Sequence, residues 1–129
     1  MTLCIAASGK IIALAASAFS LSWTHSVERT LWQEQWIVAD GRLQIVEGTV
    51  QGSGAGIYLP ENARRTEQGW TYTPALAPLA SLSLAASGTT PSNWTLCTAS
   101  QCLELGADAQ GPITLWAATQ CIDPPGTHQ

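Results

Sequence analysis

The chain has 129 residues, of which 46% are hydrophobic and only 11% are charged, and its net charge is -4 at pH 7. This length fits one domain, 1–129, that can bury a core, and the composition excludes a disordered segment. With five basic residues and no cluster beyond Arg64 and Arg65, binding to nucleic acid or anionic lipid is not expected. No apolar run reaches the roughly 20 residues that span a bilayer, so we expect no transmembrane segment.

The N-terminal stretch, MTLCIAASGKIIALAASAFS, allows two interpretations. IIALAASA resembles the apolar core of a signal peptide followed by small residues. Against this, Lys10 lies well inside the segment, and Ser8-Gly9-Lys10 has the composition of a turn. We therefore favour two strands, TLCIAA and IIALAA, that form a hairpin, and an export signal is not evident in the sequence.

Short runs that alternate apolar and polar residues recur along the rest of the chain, whereas helical periodicity is hard to find. The runs AFSLSWTHSV, LWQEQWIV and RLQIVEGTV predict a central three-stranded meander over about 19–50, with a two-residue turn at Asp40-Gly41. Pro60 to Gly69 is the most loop-like stretch, with a short helix as an alternative. Further strands are predicted at WTYTP, LASLSLAAS, NWTLC, CLELG and PITLWAA. The chain is therefore predicted to be an all-β, single-domain antiparallel β-sandwich or barrel.

The four cysteines are Cys4, Cys97, Cys102 and Cys121. A four-residue hairpin loop between Cys97 and Cys102 would place their side chains opposite each other, within reach of a disulfide. Cys4 and Cys121 can then pair if the end strands of the chain are neighbours. Two disulfides would indicate an oxidising compartment. The alternatives are four reduced, buried thiols and, less favoured, a zinc site, since the spacing lacks close CxxC pairs.

The register of the meander follows from its two turns. The turn at 40–41 pairs Glu34 with Glu47, and a four-residue loop at 28–31 pairs His25 with Glu34. These pairs predict a transverse row, His25–Glu34–Glu47, on one face of the sheet. The same register places Trp23 opposite Trp36, Val27 opposite Trp32 and Trp36 opposite Ile45, all on that face.

A histidine and two glutamates on an otherwise apolar face suit a general acid–base pair or a bound cation, with His25, Glu34 and Glu47 as candidate metal ligands. No other cofactor is predicted. The alternatives are a solvated polar band and a satisfied buried network that fixes strand register. Alternation points Ser26 away from His25, which leaves the row without a nucleophile in register. An enzyme is therefore the less favoured hypothesis.

A glycine-rich loop, Gly52-Ser53-Gly54-Ala55-Gly56, follows the strand that carries Glu47. It matches neither a phosphate-binding Walker loop nor a dinucleotide fingerprint, because no GK[ST] and no helix pattern follow. The pattern favours a β-bulge or a tight crossover. The alternative is a nest of backbone amides for a carboxylate-bearing ligand.

The segments SWTHSVERTLWQEQW and RLQIVEGTVQGSGAG resemble a small bacterial family, domain of unknown function eighteen-fifty. The resemblance extends to LCIAA, WTLC and the late cysteine. Family members are often encoded beside TRAP-type (TAXI) or related tricarboxylate-transporter genes, which implies a periplasmic or envelope location near a solute importer. The residues that match the family motif are Trp23, His25, Ser26, Glu28, Trp32, Glu34, Trp36, Glu47 and the loop residues Gly52, Ser53, Gly54 and Gly56.

We therefore predict a non-enzymatic accessory or ligand-binding module of the cell envelope, associated with a carboxylate transporter. The expected partner is a TRAP/TAXI-type transporter component or a small carboxylate ligand. One alternative is a small metal-dependent or acid–base enzyme that uses the row, and another is a purely structural interaction domain. A binding module predicts a pocket lined by tryptophan around His25, Glu34 and the glycine loop.

Overall fold

Two antiparallel sheets pack face to face in the computed structural model of the chain. The residues it describes are 2–7, 9–24, 31–51, 61–67, 69–84, 94–106 and 113–122. Every regular element in these ranges is a strand, and none is a helix that could cross a membrane. The strands are β1 (Thr2–Ala7), β2 (Lys10–Ala15), β3 (Ala18–Thr24), β4 (Leu31–Ala39), β5 (Arg42–Val50), β6 (Arg64–Thr66), β7 (Gly69–Tyr72), β8 (Ser81–Leu84), β9 (Trp94–Cys97), β10 (Cys102–Leu105) and β11 (Ile113–Ala118).

The smaller sheet has the order β2-β1-β11-β8, and the larger sheet has the order β10-β9-β3-β4-β5-β7-β6. The sheets do not close into a barrel, so the predicted all-β class is confirmed in its sandwich form. The predicted N-terminal hairpin is confirmed as β1 and β2, and the predicted meander is confirmed as β3, β4 and β5.

One apolar core lies between the sheets, and both contribute to it. Burying a leucine or isoleucine side chain stabilises the fold by roughly 1.5–3 kcal/mol, and several such side chains are fully enclosed. Alternation along the strands directs them to the same side. The fully buried aliphatic residues are Leu3, Ile5, Leu21, Leu43, Val50, Leu96 and Leu115.

The turn between β4 and β5 has the predicted two-residue form. Asp40 and Gly41 both have positive φ angles, 53° and 72°, which is the geometry that an Asp-Gly hairpin favours. The predicted pairing of Trp36 with Ile45 follows from this turn and is confirmed.

Beyond that pair, a β-bulge changes the register of β4 and β5. The next pairs are Gln35 with Glu47 and Glu34 with Gly48, so Val46 has no opposite residue. The predicted pairing of Glu34 with Glu47 is therefore wrong. A bulge inserts one residue and moves every later side chain of its strand to the other face.

The pairing of β3 with β4 also differs from the prediction. Trp23 lies opposite Trp32, and Phe19 lies opposite Trp36, so the predicted pairing of Trp23 with Trp36 is wrong. Because Leu21 lies opposite Glu34, the predicted pairings of His25 with Glu34 and of Val27 with Trp32 are wrong as well. Leu31, which the prediction placed in a four-residue loop at 28–31, pairs with Thr24, so that loop is wrong. The shift is an even number of residues, so the predicted set of residues on the core-facing side is retained.

The stretch predicted as a loop or short helix contains a strand. β6 pairs with β7, which in turn pairs with β5, so this charged segment extends the larger sheet at its edge. Charged side chains are common on edge strands because they discourage pairing with another chain.

Both predicted disulfides are confirmed. Cys97 and Cys102 are directly opposite each other in the β9–β10 hairpin, and their Cα atoms lie 4.0 Å apart. Cys4 joins Cys121, with Cα atoms 5.4 Å apart, because β1 is the neighbour of β11. The two bonds indicate an oxidising environment.

Candidate functional site

A transverse row of tryptophan residues crosses the core-facing side of the larger sheet. Trp23 lies opposite Trp32, and their rings are stacked with centroids 6.0 Å apart and an interplanar angle of 16°. The ring of Trp94 packs on the other side of Trp23 at 4.7 Å, and Trp70 lies beyond Val50. We call Trp94, Trp23, Trp32 and Trp70 the tryptophan row.

Each member of the tryptophan row is half-buried. The row ends at Arg65, which lies opposite Trp70 and whose Cζ is 5.6 Å from the centroid of that ring. A guanidinium at this distance is attracted by the negative face of the indole. The row therefore combines half-buried aromatic rings with one contact to a positive group.

Glu34 is the acidic residue in the next row on the same face, two residue pairs further along the strands. It lies opposite Leu21 on β3 and Gly48 on β5, and it is half-buried. Burial raises the pKa of the Glu34 carboxyl, and a hydrogen bond lowers it in part, because Trp36 Nε1 donates to Glu34 Oε1 at 3.0 Å. A carboxylate on a largely aromatic face is the most unusual charge on this side of the sheet.

Tyr72 completes the row that contains Glu34. It lies opposite Gly48, and a Cβ atom on Gly48 would be only 2.5 Å from Tyr72 Cζ. The missing side chain on β5 thus leaves room for the phenol to lie across that strand, towards β4. Burial raises the pKa of the Tyr72 hydroxyl, and the negative charge of Glu34 raises it further.

Glu47 belongs to the opposite face of the larger sheet. It forms an ion pair with Arg64, at 3.0 Å between Oε1 and Nη2, and both side chains are exposed. The Val46 bulge therefore separates the two glutamates that the sequence placed side by side. Glu34 and Glu47 cannot act together as an acid–base pair or as ligands of one metal ion.

Of the remaining predicted site residues, Trp23, Trp32 and Trp36 lie on the same face as Glu34, as expected. His25, Glu28 and the glycine loop (Gly52, Ser53, Gly54 and Gly56) fall outside the described residues. Within the ranges that the structure describes, no group of three histidine, cysteine, aspartate or glutamate side chains could hold a metal ion.

The sequence interpretation missed Gly48, Tyr72, Trp70, Trp94 and Arg65. Their proximity to Glu34 or to Trp23 depends on which distant strands are neighbours in the larger sheet. One local signal was available. The apolar phase of β5 changes from Leu43 and Ile45 to Gly48 and Val50, which is the pattern that a bulge produces.

Two shallow clefts lie on the opposite face of the larger sheet. One, of about 220 Å³, lies beside the Cys97–Cys102 disulfide and is lined in part by Ser20 and Gln35. The other, of about 110 Å³, is lined by Leu31, Gln33, Thr49 and Gln51. Neither cleft is lined by a titratable side chain.

The fold and site define an all-β sandwich with an aromatic face that carries one half-buried carboxylate. Residues 19–105 match the family described as Domain of unknown function (DUF1850). The chain belongs to this family, as its sequence motifs indicated. No curated protein and no solved structure matches the chain.

Proposed function

We propose that this chain is a ligand-binding module whose site is formed by the tryptophan row, Glu34 and Tyr72. The observation that carries the proposal is the half-buried carboxylate of Glu34 among aromatic rings. Enclosing a carboxylate with one hydrogen bond from an indole costs stability, and such sites are usually retained for binding or catalysis. Indole and phenol rings with one fixed polar group are typical of small-molecule sites.

Binding is better supported than catalysis. The acid–base hypothesis required Glu34 and Glu47 in one row, and the two lie on opposite faces of the sheet. Tyr72 is the titratable side chain that the described structure places near Glu34. Burial raises the pKa of both groups. Among the described residues, the row of Glu34 contains Leu21, Gly48 and Tyr72, so no nucleophile and no second carboxylate lies beside Glu34.

The module acts in the periplasm or elsewhere in the cell envelope, next to a TRAP/TAXI-type carboxylate importer. Two observations support this location and partner. The Cys4–Cys121 and Cys97–Cys102 disulfides indicate an oxidising environment. The resemblance to the family implies proximity to importer genes, and membership of that family is established over 19–105.

A structural interaction domain is the second candidate, and one feature favours it. The outer face of the larger sheet carries hydroxyl groups in contact across three strands. Thr71 Oγ1 lies 3.4 Å from Thr49 Oγ1 and 3.3 Å from Thr66 Oγ1. Thr71 is buried and Thr49 and Thr66 are half-buried, so these contacts hold β5, β7 and β6 together, as a structural role requires.

The two candidates are separated by a ligand screen on the purified chain. Tryptophan fluorescence and melting temperature would be recorded with dicarboxylates, tricarboxylates, organic cations, sugars and divalent metal ions. A binding module predicts at least one ligand that shifts both signals in the wild type and in Glu47→Gln, but not in Glu34→Gln. If Glu34→Gln and wild type respond alike to every compound, Glu34 has no role in binding and the proposed site is wrong.

A further inference from the structure

We propose that the site binds a small organic ammonium ion, with its charge at Glu34 and its alkyl groups against Trp23 and Trp32. This inference rests on the proposed function, since it names the ligand class of the same site. It also differs from the small carboxylate that the family resemblance implied.

The charge of Glu34 favours a positive ligand. Glu34 accepts a hydrogen bond from the neutral indole of Trp36, and the ion pair recorded among the described side chains joins Arg64 to Glu47 on the other face. A neutral donor does not cancel the charge of a half-buried carboxylate. A bound cation would cancel it, whereas a carboxylate ligand would add a like charge within a few ångströms. The net charge of -4 acts in the same direction.

The aromatic rings near Glu34 favour an alkylated ammonium group. Trp32 and Glu34 are two residues apart on one face of β4, so their α-carbons are separated by about 7 Å along the strand. Trp32 is stacked on Trp23, and both rings are partly exposed. A ligand of the size of a trimethylammonium group can therefore touch an indole face and the carboxylate together. Aromatic faces attract alkylated ammonium groups through the ring quadrupole.

The row already contains one contact of this kind. The guanidinium of Arg65 lies over the ring of Trp70, 5.6 Å from its centroid. Arg65 belongs to β6, which is separated from β4 by β7 and β5, so the backbones of the two strands are about 14 Å apart. Arg65 thus covers the Trp70 end of the tryptophan row, and among the described arginines none forms an ion pair with Glu34.

The donor set argues for an organic cation rather than a metal ion. Hard divalent cations require several oxygen ligands, and Glu34 and Tyr72 supply only two oxygen-bearing side chains on this part of the described surface. The other described side chains beside Glu34 are the indoles of Trp32 and Trp36 and the aliphatic Leu21, none of which coordinates a metal. They do provide a hydrophobic surface for methyl or methylene groups.

The test compares choline with 3,3-dimethylbutan-1-ol, which has the same shape but a carbon in place of the charged nitrogen. Intrinsic fluorescence of the six tryptophans would report the dissociation constant for each compound in the full chain. We expect the wild type to prefer choline by at least tenfold. Glu34→Gln should reduce the preference to about one. Glu47→Gln removes the same charge from the opposite face and should keep it.

Trp23→Leu provides a second variant that leaves the carboxylate in place. This substitution should weaken the binding of choline more than the binding of the neutral alcohol, because the alcohol gains no cation–π attraction. Circular dichroism would establish that each variant is folded. Equal affinity of the wild type for the two compounds, or equal loss of preference in Glu34→Gln and Glu47→Gln, would overturn the inference.

The same experiment separates the inference from the proposed function. If succinate, citrate or a sugar binds in a manner that depends on Glu34 while choline does not, the ligand class is wrong and the binding module stands. If none of these compounds changes the fluorescence of the folded protein, the proposed function fails together with the inference.

Discussion

The ring of Tyr72 lies over Gly48, where a methyl group would come within 2.5–2.9 Å of three of its atoms. This contact brings a phenol from β7 across β5 and towards Glu34 on β4. Glycine weakens a strand, since it has no side chain to pack, but a large neighbouring side chain can cover the gap. Gly48 and Tyr72 therefore act as one unit that shapes the site around Glu34.

Replacing Gly48 with alanine is expected to displace the Tyr72 ring. Overpacking of this kind typically costs about 1–3 kcal/mol in the free energy of unfolding, which urea denaturation would measure. In a Tyr72→Ala background the added methyl group has space, so the same substitution should cost much less. Equal costs in the two backgrounds would show that the two residues do not interact.

Glu34 is expected to make the protein less stable as pH rises. Its pKa in the folded chain is above the ordinary value of 4.5, so the folded state binds more protons than the unfolded state between those two values. The free energy of unfolding should therefore fall as pH rises through that window and change no further above it. Denaturant titrations at a series of pH values would record the slope.

Glu34→Gln should remove this component of the pH dependence, because glutamine does not titrate and its oxygen can still accept from Trp36 Nε1. Glu47→Gln is the matched control, since it removes an exposed carboxylate of the same kind. A wild-type slope that persists in Glu34→Gln would place the titrating group elsewhere.

Tyr72 should titrate at a lower pH when Glu34 is neutralised. The negative charge of Glu34 is one of the two causes that raise the pKa of the Tyr72 hydroxyl, and burial is the larger. Glu34→Gln removes the smaller cause, so the pKa should fall but stay above its ordinary value. Because the chain has two tyrosines, the ultraviolet titration of tyrosinate would use a Tyr58→Phe background. An unchanged midpoint would mean that the two groups are not close.

The two disulfides should differ in their effect on stability. Cys4 and Cys121 are 117 residues apart in the sequence, whereas Cys97 and Cys102 are only 5 apart. In the chain-entropy account, closing the longer loop adds about 5 kcal/mol to the free energy of unfolding, and closing the shorter loop adds about 2 kcal/mol. Alanine pairs at each bridge, compared by denaturation without reductant, would test this order. The reverse order would indicate that contacts in the native state dominate over loop length.

Turns and short-range bridges depend on residues that are close together in the chain, so they could be predicted from the sequence. Asp40-Gly41 specifies a two-residue turn because both residues tolerate positive φ, and the turn sets the first pairs of the hairpin. The Cys97–Cys102 bridge follows from a short loop in the same way. The Cys4–Cys121 bridge was predicted only on the condition that β1 and β11 are neighbours, which they are.

The site around Glu34 was predicted in part. Trp23, Trp32 and Glu34 share a face because alternation along β3 and β4 places them there, and an even error in register leaves that result unchanged. Glu47 was misplaced because a single unpaired residue, Val46, reverses the direction of every later side chain in β5. Packing of the core explains the bulge. The shifted register buries Gly48 and Val50 and leaves Glu47 exposed to solvent, where it pairs with Arg64.

Amino-acid alternation and turn chemistry thus established the strands, the hairpins and the face on which Glu34 lies, because these depend on contacts between residues close in the chain. Three features could be found only from the assembled sheet. They are the tryptophan row, the position of Tyr72 over Gly48 and the separation of Glu34 from Glu47. They depend on which of the distant strands β5, β7 and β9 become neighbours and on the burial of Val50. Burial is a property of the whole core, so a local pattern cannot specify it.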